Sequence, residues 1–221
     1  MKKLSLLVIV LISTSLICMV YAQQAPFSDE IQAFKKQDSI NPPPKNAVVF
    51  VGSSSFRKWT DLQKAFPYFT IINRGFGGST LPDVIRYAND IIIPYQPLQV
   101  VIYAGDNDLA SSDTVTAFAV FRRFKELFQL IRSQLPSTSI VFVSIKPSPS
   151  RERLMPRMTV ANTLIKRFLE DQPHAAFVDV YHLMLDDKGK PRKELFLEDD
   201  LHMNDKGYAI WQKAIKPYLL R

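Results

Sequence analysis

The chain has 221 residues, 47% hydrophobic and 22% charged, which suits one domain with a full-sized core and leaves too little for two. A net charge of +7 is scattered along the chain rather than gathered with aromatic residues into a stripe, which argues against nucleic-acid binding. The one cysteine, Cys18, lies in an N-terminal apolar stretch, so a chain cut after that stretch has no disulfide, no Cys nucleophile and no Cys-bound zinc.

Residues 1–22 have the pattern of a secretory signal: Lys2 and Lys3 precede an apolar run, and Val20-Tyr21-Ala22 offers small residues before a cut. Cleavage after Ala22 would remove two of the seven surplus positive charges and send the protein to the periplasm or outside the cell. The rival reading is an uncleaved membrane anchor, and this segment is the sole membrane contact expected. Residues 23–45 are expected to form a short lead-in, a helix capped by Ser28 with Ile31 and Phe34 on one face, and a break at Asn41-Pro-Pro-Pro-Lys45. The main domain is therefore expected over residues 46–221.

That domain opens with an uncharged strand, residues 47–51, followed by Gly52 and three serines, Ser53, Ser54 and Ser55. A short helix over residues 60–66 ends at Pro67, and a second strand, residues 69–73, runs into Arg74-Gly-Phe-Gly-Gly-Ser79. Ser79 is placed to cap a helix with Val84, Ala88 and Ile91 inward. A third strand, residues 98–103, ends in a turn, Ala104-Gly-Asp-Asn-Asp108. Apolar residues then recur every three or four positions from Ala117 to Ile131, the pattern of a long core-facing helix. A fourth strand, residues 140–145, leads to the loop Lys146-Pro-Ser-Pro-Ser150, and a helix over residues 157–170 to a fifth strand, residues 176–180. Asp186 to Lys190 has the composition of a polar turn rather than a cation loop, and the last helix starts beyond Asn204 with Tyr208, Trp211, Ile215 and Leu219 inward.

Strands alternating with helices predict an α/β fold: a three-layer α/β/α sandwich around about five parallel strands. Ligands of such sheets bind outside the carboxyl ends of the strands, where the winding reverses. The serines, the glycines and Asp106-Asn107-Asp108 all fall on that rim.

A serine there needs a base. His174 and His182 are read as structural, for want of a carboxylate at a useful spacing. His202 follows Asp199 by three residues, so one turn of chain brings carboxylate to imidazole, with Glu198 and Asp200 as competitors. An oxyanion would find donors in the Gly78 N–H, the Asn107 amide and the nucleophile's own N–H. On chemistry alone Ser53, Ser54 and Ser55 remain alternatives. Arg74, Lys146 and Ser148 are read as surface polar residues near the acceptor side, without a specific role.

These blocks resemble the SGNH hydrolases, also called GDSL lipases/acylhydrolases. Gly52-Ser53-Ser54 stands for the usual Gly-Asp-Ser, and Asn73-Arg-Gly-Phe-Gly-Gly78, Gly105-Asp-Asn107-Asp108 and Asp199-Asp-Leu-His202 follow in the family's order. The resemblance implies a flavodoxin-like sandwich with Ser54 as nucleophile, His202 as base, Asp199 as its orienting acid, and Ser54, Gly78 and Asn107 as the oxyanion hole. Ser53 departs from the family's aspartate, which is not a triad member. The expected function is a secreted or periplasmic serine esterase releasing small acyl groups, above all O-acetyl, from carbohydrate, with no metal or organic cofactor. The alternatives are a lysophospholipase or thioesterase of the same family and a non-catalytic glycan-binding module.

Overall fold

The structure, a computed structural model, describes residues 25–221; the expected leader, residues 1–22, lies outside the described residues. Five strands form one parallel sheet: β1 (Val48–Gly52), β2 (Ile71–Gly75), β3 (Gln99–Tyr103), β4 (Ser139–Val143) and β5 (Ala175–Val178), in the order β2-β1-β3-β4-β5. The chain steps from β1 outward to β2, then crosses back to β3 on the other side of β1. The winding therefore reverses between β1 and β3, and sheets of this kind bind their ligands outside the carboxyl ends at such a point. The three-layer α/β/α arrangement of the SGNH fold, expected from the alternation of elements, is the one observed.

Strand side chains alternate between two cores because successive residues point to opposite faces. On one face Val51, Val100, Ile102, Ile140 and Phe142 meet α1 (Ser28–Ile40), α4 (Leu81–Ile91), α6 (Ala117–Gln134) and α7 (Met155–Glu170). On the other, Phe50, Val101, Tyr103, Val141 and Val143 meet α2 (Ser54–Arg57), α3 (Leu62–Ala65) and α8 (Asp205–Ile215). The remaining α-helix, α5 (Asp106–Ser111), sits directly after β3.

Several boundaries differ from the sequence expectation, each for a local reason. Ser28 is the first residue of α1 and not its cap; Phe27 holds that position in a left-handed conformation, φ 65°. The helix after the glycine loop is capped by Thr80, whose N–H and hydroxyl both donate to Asp83, at 2.9 and 2.6 Å; Ser79 instead leaves its carbonyl free for another partner. The Asp106-Asn107-Asp108 stretch, expected as a turn, is helical. Gly105, with φ 118°, lets the chain turn straight from β3 into α5, and acidic side chains suit a helix's first turn. Asp108 is fully buried there, accepting from the Leu81 N–H at 2.9 Å and from Arg123 at 2.8 Å, which ties α5 to α4 and α6.

Gly52 sets where the first serine loop leaves the sheet. Its φ is 136°, and a Cβ there would stand 1.9 Å from the Tyr103 carbonyl oxygen, a backbone atom that cannot step aside. Gly52→Ala is therefore expected to cost at least about 3 kcal/mol, seen as a fall in Tm of roughly 6–12 °C in a thermal melt. A melt within about 1 °C of the parent would contradict this account of the close approach.

Candidate active site

Ser54 is the first residue of α2, where its N–H has no acceptor within the helix. The inner face of α2 carries Phe56, which packs against Phe50, Tyr103 and Trp211 with ring centroids 5.1, 6.0 and 5.9 Å away. Trp211 belongs to α8, the helix that follows His202, and Tyr208 of the same helix donates its hydroxyl to the Ser55 carbonyl at 3.0 Å. The segment with the histidine and the helix with the serine are thus bolted together through one aromatic cluster. Asn204 completes the mounting. Its side-chain oxygen caps α8 by accepting from the Lys206 and Gly207 N–H groups, while its amide donates to the Glu194 and Phe196 carbonyls, both at 3.0 Å.

Held in this way, the His202 Nε2 lies 3.0 Å from the Ser54 Oγ, and Nδ1 lies 2.5 Å from an oxygen of Asp199. A carboxylate can only accept, so Nδ1 carries the proton and Nε2 is left to accept from the serine hydroxyl. The other Asp199 oxygen accepts from the Leu201 and His202 backbone N–H groups at 3.0 and 2.8 Å, which fixes the carboxylate relative to the ring. Burial works against the ionised Asp199, but the His202 ring and these N–H groups outweigh it and hold the carboxyl well below the usual carboxylate range. Among the competitors, Asp200 turns its carboxylate to Lys193, 3.6 Å away, and Glu198 is exposed. Ser53 and Ser55 are buried, and the Ser53 hydroxyl has no hydrogen-bond partner among the described residues.

The expected oxyanion donors come from three separate rim segments. Gly78 has φ 80°, and a Cβ added to it would meet no heavy atom within 4 Å among the described residues, so its glycine answers a backbone requirement rather than a lack of space. The Asn107 amide donates one N–H to the Ser79 carbonyl at 2.9 Å, and its oxygen accepts from Arg151 at 2.9 Å.

Three residues turn out differently from their sequence reading. Arg74 is buried, ion-paired with Asp38 and bonded to the Tyr95 hydroxyl at 2.7 Å, so it ties α1 to the sheet. Ser148 and Lys146 are also buried, with Lys146 1% exposed and its ammonium 5.7 Å from the centre of the Phe196 ring. Burial pushes the Lys146 amine down to about 8, against the attraction of Asp106 and Asp199. The reading of His182 needs correction on a further point. It does have a carboxylate at the same spacing, Asp179, whose oxygen lies 2.6 Å from Nδ1. That pair sits on the wall of a separate cavity of about 270 Å³, between α7 and the edge strand β5, and among the described residues no serine lines it. His174 precedes β5 and so lies at the amino-terminal edge of the sheet, away from the rim. Among the described residues no group of three or more His, Cys, Asp or Glu side chains is placed to hold a metal ion.

Residues 46–210 match the model of the GDSL-like lipase/acylhydrolase family, and the chain belongs to that family. The fold is shared with a Streptococcus pneumoniae protein named for platelet activating factor (TM-score 0.75, 22% identity, 87% of this chain and 92% of that one). It is shared too with a GDSL-like lipase from Bacteroides thetaiotaomicron (0.71, 21%, 85% and 95%). An acetylxylan esterase from Geobacillus stearothermophilus is a more distant likeness (0.64, 15%, 81% and 96%). No curated protein matches the chain in sequence.

The buried Lys146 yields a stability prediction. Its folded-state proton affinity is depressed below that of the unfolded chain, so between about pH 8 and 10 the unfolded state holds more protons and stability rises with pH. Lys146→Met is expected to raise stability at pH 7 by roughly 1–3 kcal/mol and to flatten that rise, measured by denaturant melts across the range. A variant less stable at pH 7 and equally pH-dependent would refute it.

Proposed function

We propose that this chain is a serine esterase that removes small acyl groups, O-acetyl foremost, from carbohydrate outside the cytoplasm. The observation that carries the proposal is the relay from Asp199 through His202 to the Ser54 hydroxyl, at 2.5 and 3.0 Å, on the rim where the sheet's winding reverses. As the Ser54 oxygen attacks the ester carbonyl, its proton passes to His202 Nε2. The N–H groups of Ser54 and Gly78 and the Asn107 amide take the negative charge that develops on the carbonyl oxygen. The imidazolium then protonates the departing alcohol, leaving an acyl-enzyme. Water, giving its proton to the same nitrogen, releases the acid and restores the hydroxyl.

The acyl size and the substrate class rest on chemistry and likeness. Small acyl groups agree with the lack of a long apolar insertion over the rim among the described residues, and the likeness in fold to an acetylxylan esterase supports a sugar ester. The leader-like residues 1–22 support export.

A fluorophosphonate is expected to label Ser54, located by peptide mapping; label on Ser53 or Ser55, or none at all, overturns the assignment. With chromogenic esters of rising acyl length, kcat/KM is expected to peak at acetyl, whereas a peak at about eight carbons or more would favour a lysophospholipase or thioesterase. Acid pH supplies a separate check. Asp199 is held ionised well below the usual carboxylate range, so its protonation should add no step to the acid side of the kcat/KM profile; an acid step removed by Asp199→Asn would contradict this. Asp199→Asn should lower kcat by about 10³–10⁴ by removing the acceptor that fixes the ring's tautomer.

A further inference from the structure

The proposed oxyanion hole depends on which way the Asn107 amide faces, and nothing in the Asn107 side chain itself decides that. Its nitrogen and oxygen have nearly the same shape, but only the nitrogen can donate to an oxyanion. Two neighbours make the choice. The Ser79 carbonyl, which can only accept, lies 2.9 Å from Nδ2, and the Arg151 guanidinium, which can only donate, lies 2.9 Å from Oδ1. Turning the amide over would set carbonyl against carbonyl and donor against donor. In the observed orientation one Nδ2 hydrogen goes to Ser79 and the second has no acceptor among the described residues.

Arg151 is itself held. A second guanidinium nitrogen donates to the buried Asp106 at 2.9 Å, and the other oxygen of Asp106 accepts from the Asn107 backbone N–H at 3.0 Å. The arginine side chain is only 16% exposed, so water competes weakly for these bonds. Its neighbour Ser150 reaches the opposite side of the site, where its N–H and hydroxyl both donate to the Asp200 carbonyl, at 3.0 and 2.9 Å. Arg151 comes from a 3-10 segment after β4, Pro149–Leu154, and not from any of the four sequence blocks that carry the family resemblance.

We propose that Arg151 is a positioning residue of the oxyanion hole: by holding Oδ1 it keeps the free N–H of Asn107 aimed at the reacting carbonyl oxygen. The inference rests on the esterase reading above. Because the oxygen becomes an anion only in the transition state, losing the alignment should slow the chemical step and leave ground-state binding alone.

The test uses the full chain with p-nitrophenyl acetate. Arg151→Met is expected to lower kcat by about 10–100-fold with KM within about twofold of the parent. Arg151→Lys should stay impaired, since a single amine lacks the fork that spans Asp106 and Asn107. Asn107→Ala keeps the Ser54 and Gly78 donors, so further loss on that background is measurable; Arg151→Met added to it should change kcat by less than about twofold. Losses that add in the double variant, an effect confined to KM, or an unchanged kcat in Arg151→Met would overturn the inference. If Arg151→Met does not fold, Arg151→Lys carries the same comparison on the Asn107→Ala background. Wild-type protein unlabelled by fluorophosphonate at Ser54 removes the esterase reading and this inference with it, whereas label at Ser54 together with additive losses removes the inference alone.

Discussion

The indole of Trp211 is the contact on which the rest depends. It packs between Phe56, near the start of the helix that begins at Ser54, and Tyr103, the last residue of β3, with the Tyr103 ring 4.8 Å away. Ser54 and His202 are 148 positions apart in the chain, and no bond along the backbone holds them within reach. What does so is the burial of these rings, each worth a few kcal/mol of transfer from water, so the serine–histidine distance inherits the rigidity of a close-packed core. Hydrogen bonds from Asn204 and Tyr208 then remove the remaining freedom of the rim segments.

Much of this was legible in the sequence because the signals are local. Uncharged strand runs, the 3.6-residue stripe from Ala117 to Ile131, the Asn204 cap and the three-residue step from Asp199 to His202 each declare themselves within a few turns of chain. What was not legible depends on partners distant in sequence. Asp106-Asn107-Asp108 has turn-like composition, and only the burial of Asp108 against Leu81 and Arg123 makes a helix the better outcome. Arg74 and Lys146 looked like solvated charges for the same reason: nothing near them in the chain announces Asp38, Tyr95 or the Phe196 ring. Arg151 gave no sequence signal at all, one arginine among many until the fold sets it beside Asn107.

The segment after β4 joins what would otherwise be two half-sites. Ser150 holds the backbone next to Asp199, and Arg151 holds Asn107, so adjacent residues brace the Asp199–His202 side and the Asn107 side of one rim. Asp200, whose carbonyl Ser150 grips, is in the left-handed region at φ 53°, an uncommon setting for a residue with a side chain. The turn accepts that strain where its Asp199 neighbour must face inward, and the two bonds from Ser150 offset it.

The Asp179–His182 pair repeats the Asp199–His202 arrangement almost atom for atom, without a serine at the far ring nitrogen. Its imidazole side chain is 72% exposed, against 17% for His202. A histidine-selective reagent such as a pyrocarbonate therefore meets the exposed rings of His174 and His182 before it meets His202. Addition to the half-buried His202 ring is the slower event, so the fold supplies its own internal reference for any such titration of imidazoles.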